Sequence, residues 1–286
     1  MKKKKLAYML AVTQDYVFAA GNIALSLMRH NPKKDFDICI FYDHITEEDR
    51  RIFNSFPNCH LYAYNIPVGF EREIRAKCPK FNDEKFAKHF SFLKFAKFEI
   101  FDLLDKYHHV IWLDADVTIQ ADPGDCMKYM PFAITIDKDW TVQNNFTAPI
   151  EGYDMTLQGS CSAVFMISDE LANYQAMKAW CYDMAVKVCP YFKNIDQGII
   201  NLLLQHFHIP YQWLPLEVYQ CMPDYPNATY AKIVHFGPHK IWKEGLVASA
   251  FPEWCRTHAD WLKRGGSDYA RPKEYKLSRL TNCYAI

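Results

Sequence analysis

The stretch Val110–Asp116 reads VIWLDAD, so four apolar residues are followed at once by two carboxylates on alternate positions. A short, fully apolar run is typical of a strand buried on both faces of a parallel sheet. In an extended segment, residues i and i+2 point to the same side. Asp114 and Asp116 therefore converge at the C-terminal end of that strand, where open α/β sheets bind ligands. Two such charges repel each other unless a cation lies between them, and oxygen ligands favour Mg²⁺ or Mn²⁺. The alternative is a turn in which the two aspartates only cap the following segment.

Around this strand, short apolar runs alternate with longer amphipathic ones along most of the chain before Tyr211. This alternation is typical of a sheet built by helical crossovers and predicts an α/β fold. The predicted strands are Leu6–Val12, Phe36–Tyr42, His60–Tyr64, Val110–Leu113, Pro131–Ile136 and Ala163–Ile167. The predicted helices are Tyr16–Met28, Glu47–Ser55 after the N-cap Thr46, Phe90–Leu104, and Ser168–Val188 with Ser168 as its N-cap. No internal repeat is present, so we expect one domain with an irregular C-terminal extension.

The composition excludes several classes of protein. Half of the 286 residues are hydrophobic, which is enough for a packed core, and 33 basic residues balance 33 acidic ones. A zero net charge provides no positive field for a nucleic acid, so we expect no nucleic-acid partner. The ten cysteines form no C-x-x-C pair, which favours buried thiols in a reducing cytosol. Lys2–Lys5 and Leu6–Val12 imitate a signal peptide, but no small-residue cleavage site follows. We therefore expect a cytoplasmic protein that begins with a buried strand.

A second motif lies near the C-terminus. Residues 235–240 read HFGPHK and follow the apolar run Ala231–Val234. The imidazole of His235 could complete a divalent-metal site, while Gly237 would let the backbone approach a phosphate closely and Lys240 would supply a charge for it. The alternative is a polar surface turn.

A third motif is the pair Asp196 and Gln197, which directly precedes the helix-like stretch Ile199–Leu204. A carboxylate and an amide at a helix N-terminus could hydrogen-bond the hydroxyls of a sugar. They could equally cap that helix and do nothing else.

Taken in order, these motifs resemble glycosyltransferase family 8, the retaining GT-A enzymes that include glycogenin and bacterial lipopolysaccharide galactosyltransferases. Ile111–Asp116 resembles the metal motif of the family, and Asp196-Gln197 its Asp-Gln pair. His235-x-Gly237-x-x-Lys240, followed by Trp242, is similar to its H-x-G-x-x-K-P-W signature. The resemblance runs from about Leu6 to Trp242. It implies an α/β, single-domain GT-A nucleotide-sugar-binding fold over residues 1–254, with a mixed, mostly parallel sheet flanked by helices. Residues 255–286 would form the C-terminal extension.

The resemblance also implies a nucleotide site. Asp114, Asp116 and His235 would bind Mn²⁺, with Mg²⁺ as the alternative, and this ion would bridge the diphosphate of a UDP-sugar. Tyr16 would offer a ring face to the uracil. The residues implied to hold the donor nucleotide are Ala11, Thr13, Asp15, Tyr16, Asp114, Ala115, Asp116, Gly237 and Lys240.

The implied catalytic residues are Asp196, Gln197 and Lys97. Lys97 takes the place of the basic donor-sugar residue of the family, Lys94 competes with it for that role, and a solvated helix face remains the alternative for both. The implied reaction moves galactose or glucose from UDP-galactose or UDP-glucose to the hydroxyl of a glycan or lipid-linked acceptor in surface polysaccharide synthesis. Because no carboxylate is placed as an obvious nucleophile, we expect front-face transfer with retention.

Two departures from the family pattern stand out. Cys161-Ser162-Ala163 replaces Asn-Ala-Gly, and Ile241 replaces the proline after Lys240. The first departure leaves open a non-catalytic or degenerate nucleotide-sugar-binding module. Nucleotidyl transfer is a further alternative, but the Gly-Ser or Gly-Gly pair expected before its acids is missing upstream of Asp114.

The last residues of the chain carry a separate expectation. Basic residues outnumber acidic ones over Arg256–Ile286, and tryptophan and tyrosine residues are interleaved with them. This composition suits peripheral docking at the inner face of a membrane, where a lipid-linked acceptor would be found. A tail folded back onto the domain is the alternative.

Overall fold

The computed structural model describes residues 3–33, 35–83, 91–237, 240–244 and 251–269. The strands found among these residues are β1 (Lys4–Val12), β2 (Asp37–Tyr42), β3 (Cys59–Ala63), β4 (Tyr107–Leu113), β5 (Val117–Ile119), β6 (Phe132–Thr141), β7 (Gln158–Ser168), β8 (Tyr211–Leu214) and β9 (Ile233–His235). The predicted strands are all present. Most are longer at one or both ends than the apolar run that indicated them.

The helices of the described residues are of two kinds. The α-helices are α1 (Val17–His30), α2 (Glu47–Asn54), α3 (Phe70–Lys77), α4 (Ile100–Leu103), α5 (Tyr174–Val188), α6 (Ile195–His206), α7 (Leu216–Tyr219), α8 (Ile241–Glu244) and α9 (Pro252–Lys263). The 3₁₀-helices are Gln14–Tyr16, Pro79–Asn82, Phe92–Glu99, Gly124–Lys128, Val142–Asn145, Cys189–Tyr191 and Ala228–Tyr230. The predicted cap of α2 is confirmed, because the Oγ1 of Thr46 accepts a hydrogen bond from the backbone N–H of Asp49 at 3.1 Å.

The main sheet has seven strands in the described residues, in the order β3-β2-β1-β4-β7-β6-β8. It is mixed and mostly parallel and is flanked by helices, as predicted. β1 runs parallel to β4, with Tyr8 opposite Ile111, and β2 runs parallel to β3. β6 pairs antiparallel with β7 and parallel with β8. β5 and β9 form a separate antiparallel ribbon.

The chain forms two compact units. The first unit comprises residues 1–9, 64–112 and 126–214. Its interior contains a cluster of aromatic rings in which Phe70 contacts Phe95 and Tyr182 edge to face, at centroid distances of 4.8 and 5.0 Å. Such contacts add about 0.5–1.5 kcal/mol each to the burial of the rings.

The second unit comprises residues 10–63, 113–125 and 215–286, of which the last described residue is Tyr269. Helix α9 packs against α1 in this unit. The indole of Trp261 is fully buried, and its ring centroid lies 5.0 Å from that of Phe53. The expected division between residues 254 and 255 falls inside α9. That division remains a prediction, and residues 270–286 lie outside the described part.

Two helix predictions need correction. Ser168 does not cap a helix, because it is the last residue of β7 and its backbone N–H donates to the carbonyl of Pro131 at 2.9 Å. A turn follows, and α5 begins only at Tyr174, after Asn173 in the left-handed conformation (φ 61°). The single helix predicted over Phe90–Leu104 is a 3₁₀-helix from Phe92 to Glu99 followed by one α-helical turn.

The cysteines of the described residues agree with their predicted state. Nine of them are free thiols, and eight of these are buried, with Cys161 partly accessible. Burial raises the pKa of the Cys59 thiol to about 12, so this group stays protonated. Within the described ranges, no helix is long and apolar enough to cross a membrane.

Candidate functional site

The second unit brings Asp116 and His235 together through the β5–β9 ribbon. Val117, the residue after Asp116, pairs with His235 in the ribbon, and the backbone N–H of Phe236 donates to the carbonyl of Asp116 at 2.9 Å. As a result, the Nε2 atom of His235 lies 3.3 Å from Oδ1 of Asp116. Asp114, at the C-terminal end of β4, completes the group, and one ligand atom from each of the three side chains lies within 4.8 Å of the other two.

These three side chains fit a divalent cation. Two carboxylates and one imidazole form a mixed oxygen and nitrogen donor set of the kind that Mn²⁺ accepts. The side chains of Asp116 and His235 are each only 13% exposed, so water compensates little for the concentrated charge. The Nδ1 atom of His235 is buried without a hydrogen-bond partner, which is costly unless the ring serves another purpose.

A lysine already compensates part of this charge. The ammonium of Lys240 donates a short hydrogen bond to Oδ2 of Asp116, and its side chain is 20% exposed. Burial alone would raise the pKa of Asp116, but the charges and hydrogen bonds of His235 and Lys240 hold it well below its usual range. Burial lowers the pKa of His235, but attraction to Asp116, a hydrogen bond with it and the charge of Asp114 outweigh burial and raise the pKa.

Aromatic rings border the same group of charges. The ring of Tyr16 meets that of Trp242 edge to face at 5.6 Å, and Trp242 meets Phe18 in the same way at 5.1 Å. Burial raises the pKa of Tyr16, the charge of Lys240 opposes this, and the charge of Asp116 adds to it. Tyr16 therefore lies within electrostatic reach of both ends of the Lys240–Asp116 pair.

The remaining nucleotide candidates lie in the same unit. Ala11 is near the end of β1, Thr13 precedes the 3₁₀-helix that holds Asp15 and Tyr16, and Ala115 lies in the turn after β4. Gly237 has φ 45°, a conformation that favours glycine, and no side chain there screens its backbone from a ligand. Its neighbours Pro238 and His239 lie outside the described residues.

The first unit holds the three residues predicted to be catalytic. The side chain of Lys97 is only 1% exposed, and its ammonium donates to Oδ2 of Asp196 and to the carbonyl and hydroxyl oxygens of Ser162. Asp196 and Gln197 lie in the first turn of α6, as their sequence position indicated. Lys94 is half-buried, and its charge also acts on Asp196.

The partners of Gln197 were not predicted. Its Nε2 donates to Oδ2 of Asp137 at 2.8 Å and to Oδ1 of Asn145 at 3.1 Å, and its Oε1 accepts from the backbone N–H of Ser162 at 3.4 Å. Sequence did contain a signal for Asp137, because it directly follows the apolar run of β6, just as Asp114 follows that of β4. Asn145, which lies at the end of a 3₁₀-helix, had no such signal.

Residues 8–128, which include Asp114 and Asp116, match the model of the family described as Glycosyl transferase family 8. Residues 8–128 are therefore similar in sequence to the family 8 glycosyltransferases. The resemblance stated from the motifs is therefore confirmed. The general reaction that it supports is glycosyl transfer. No curated protein sequence matches the chain.

Solved structures share the fold. The galactosyltransferase LgtC, in complex with donor and acceptor sugar analogues, gives a TM-score of 0.65 at 14% identity over 90% of this chain and 99% of LgtC. The bifunctional glycosyltransferase WbbM gives 0.62 at 17% identity over 93% of this chain, and the chain spans about half (52%) of WbbM. GlyE of Streptococcus pneumoniae TIGR4 gives 0.58 at 18% identity, over 96% of this chain and 66% of GlyE. At these identities the likeness shows the GT-A fold alone.

Proposed function

We propose that this chain is a family 8 retaining hexosyltransferase that moves galactose or glucose from a UDP-sugar to a hydroxyl of a glycan or glycolipid acceptor. The observation that carries the proposal is the group formed by Asp114, Asp116 and His235, with Lys240 beside it and Tyr16 nearby. Such an arrangement suits a nucleoside diphosphate, whose phosphates carry negative charge and whose base is a ring that can stack.

In this proposal, Asp114, Asp116 and His235 hold one Mn²⁺, with Mg²⁺ as the alternative. When bound, the cation would neutralise negative charge on the diphosphate and on the departing UDP. Lys240 would exchange its partner, leaving the carboxylate of Asp116 for a phosphate oxygen. Gly237 would let the backbone approach the phosphates closely, and the ring of Tyr16 would form one side of the uracil site.

Asp196 and Gln197 are proposed to orient the donor sugar. Gln197 is held through both ends of its amide, so its side chain is fixed before substrate binds. Pre-organisation of this kind favours reaction because no free energy is lost in ordering the group during transfer. We propose front-face attack by the acceptor hydroxyl, with the leaving UDP on the same side of the sugar and retention at the anomeric carbon.

The acceptor is proposed to be a glycan or lipid-linked sugar used in surface polysaccharide synthesis, in the cytoplasm. Peripheral docking to the inner face of a membrane is proposed for the C-terminal extension. Its described part contributes α9 to the second unit, and residues 270–286 lie outside the described part. Sedimentation of the full chain with anionic and neutral vesicles tests this proposal, because equal pelleting with and without vesicles contradicts it.

The test of the proposed function is UDP release from a panel of UDP-sugars, with Mn²⁺ and with EDTA. We expect release from UDP-galactose or UDP-glucose that stops when the metal is chelated and is lost in Asp116→Asn. Tight, metal-dependent UDP binding with no release from any UDP-sugar would favour the nucleotide-sugar-binding module instead. Turnover of a nucleoside triphosphate in preference to UDP-sugars would favour nucleotidyl transfer.

A further inference from the structure

Lys97 is one of the most deeply buried charged side chains of the first unit. Its Nζ atom donates to the carbonyl oxygen of Ser162 at 3.0 Å and to the hydroxyl oxygen of the same residue at 2.9 Å, and it makes a short hydrogen bond to Oδ2 of Asp196. The indole of Trp112 covers the ammonium, with the ring centroid 5.0 Å from Nζ. These neighbours surround the charge with acceptors and an aromatic face.

The hydrogen-bonding capacity of Lys97 is filled by these contacts. A lysine ammonium has three donor hydrogens and no acceptor, and Ser162 and Asp196 together supply three acceptor atoms. With 1% of its side chain exposed, Lys97 also lacks the access that a bound sugar hydroxyl would need. Contact with a sugar would require breaking a buried, charge-assisted hydrogen bond.

Ser162 joins the lysine to the neighbouring amide. Its carbonyl and hydroxyl groups accept from Lys97, while its backbone N–H donates to Oε1 of Gln197 at 3.4 Å. Ser162, a residue of β7, therefore contacts Gln197 directly and Asp196 through Lys97. Asp196 and Gln197 are adjacent in the first turn of α6, so these contacts join β7 to the start of that helix. The serine hydroxyl is available for this purpose because serine stands in the segment where the family pattern has Asn-Ala-Gly.

We propose that Lys97 is a positioning residue, which acts through Ser162 and Asp196 to hold the first turn of α6 against β7 and thereby to orient Gln197. Lys97 makes no contact with the donor sugar in this arrangement. Ser162 is the second positioning residue, because its hydroxyl supplies the third acceptor of the ammonium. This inference deepens the proposed function and rests on it for the role of Gln197.

The pKa of Asp196 makes the stability of the fold depend on pH, which provides a test of this arrangement that does not require activity. Burial would raise the pKa of Asp196, but the charges of Lys97 and Lys94 and the hydrogen bond from Lys97 lower it. A carboxyl group with a lowered folded-state pKa stabilises the fold at pH values above its unfolded pKa of about 3.9. That stabilisation is lost as the pH falls through the folded-state pKa. Lys97→Met would leave the buried carboxylate without its main partner.

The first experiment is a double-mutant cycle of Lys97→Met and Asp196→Asn, followed by urea unfolding of the full chain between pH 3 and pH 7. Because each single variant strands one buried polar partner, we expect the double variant to have a higher urea midpoint at pH 7 than Lys97→Met alone. The loss caused by Lys97→Met should shrink as the pH falls and Asp196 becomes protonated. The matched control is Lys178→Met, which removes a lysine that is 29% exposed and paired with Glu99, and whose effect should be small. Additive effects of the two substitutions at every pH would overturn the proposal.

The second experiment separates positioning from sugar contact. Ser162→Ala leaves the ion pair in place and removes one acceptor, so it serves where Lys97→Met does not fold. We expect both variants to lower kcat for the UDP-sugar, by up to about 100-fold for Lys97→Met, because misplaced groups cost rate more than affinity. The KM for the donor and the preference between UDP-galactose and UDP-glucose should change less than about twofold. A raised KM or an altered sugar preference, with an unchanged kcat, would show direct contact with the sugar and overturn the proposal.

The outcomes of these experiments distinguish a failure of the positioning role from a failure of the proposed function. If the native chain releases no UDP from any UDP-sugar, the proposed function fails, while the unfolding cycle still tests whether Lys97 and Asp196 act together. If the native chain is active and the cycle is additive, the proposed function stands and the positioning role fails.

Discussion

The Nε2 atom of His235 lies 3.3 Å from Oδ1 of Asp116 because His235 pairs with Val117 in a short antiparallel ribbon. Backbone pairing therefore fixes this distance, and the hydrogen bond from Phe236 to the carbonyl of Asp116 adds to it. A site positioned by strand pairing is formed before any ligand arrives. Such a site would need little rearrangement to bind a cation.

Removal of either paired side chain should abolish tight metal binding. We expect Asp116→Asn and His235→Ala to weaken Mn²⁺ binding by on the order of 100-fold or more, since even residues that only support metal ligands change affinity by about 10–100-fold. Calorimetric titration with Mn²⁺ measures this effect. Asp125→Asn is the matched control, because this carboxylate of the same unit pairs with Lys232 and is not one of the clustered ligands. Equal Mn²⁺ affinity in Asp116→Asn and Asp125→Asn would contradict the assignment.

Removal of the Lys240 ammonium should have opposite effects on the affinity for Mn²⁺ and on the affinity for UDP. Its ammonium bonds to Asp116, so it competes with a cation for that carboxylate. We expect Lys240→Met to bind Mn²⁺ more tightly in the absence of nucleotide. We also expect it to bind UDP about 10-fold or more weakly in the presence of Mn²⁺, because a charge-assisted bond contributes roughly 1.5–3 kcal/mol. Both affinities can be measured by calorimetry, with Lys232→Met as the control. Unchanged UDP affinity would remove Lys240 from the nucleotide site.

The close contact between α1 and Trp261 predicts a large effect of a small substitution. A Cβ atom on Gly21 would lie 2.3 Å from the indole of Trp261, which is fully buried and has no room to move away. We expect Gly21→Ala to lower the free energy of unfolding by about 1–3 kcal/mol, despite the better helix propensity of alanine. Urea unfolding measures the loss. In a Trp261→Leu background the same substitution should cost less, and an equal cost in both backgrounds would exclude the steric explanation.

The parallel strands could be predicted because each is a short apolar run with polar residues at its ends, which is the pattern of a strand buried in a sheet. Val110–Leu113 is one example, and it lies within β4. Ser168 misled the prediction because serine followed by Asp169 and Glu170 is also how a capped helix begins. Only the backbone hydrogen bond from Ser168 to Pro131, a residue distant in sequence, shows that the strand continues to Ser168.

The candidate site could be predicted in part. Asp114 directly follows the apolar run of β4 and Asp116 lies two residues further on, so the sequence indicated where both would lie. A place for His235 beside them was implied only by the family resemblance, and the structure brings the three together. The contacts of Gln197 with Asp137 and Asn145 depend on how three separate segments pack, and a single sequence carries no information on that packing.

Helix α9 was missed for a different reason. Its buried side chains include the polar residues Glu253, Thr257 and His258 next to Trp254 and Trp261, so an apolar pattern does not mark its buried face. The hydroxyl of Thr257 bonds to the carbonyl of Glu253 at 3.0 Å, and the imidazole of His258 lies 3.1 Å from Asp268. These groups are satisfied inside the unit, which is how polar residues can occupy the core.

The position of α9 predicts how truncations behave. A chain that ends after residue 251 loses Trp261 and the packing of α9 on α1, so we expect it to lack a cooperative unfolding transition. A chain that ends after residue 269 keeps both and should unfold cooperatively. Circular dichroism during urea unfolding distinguishes them. Cooperative unfolding of the shorter chain would favour a boundary near residue 254.

The central claim is that Asp114, Asp116 and His235 hold one divalent cation next to a nucleotide diphosphate. Crystals grown with Mn²⁺ and UDP, with anomalous diffraction recorded at the manganese edge, test this claim most directly. We predict a single strong anomalous peak within coordination distance of all three side chains, with phosphate oxygens of UDP completing the shell. A peak elsewhere on the chain, or UDP bound with no manganese among these three residues, would contradict the account.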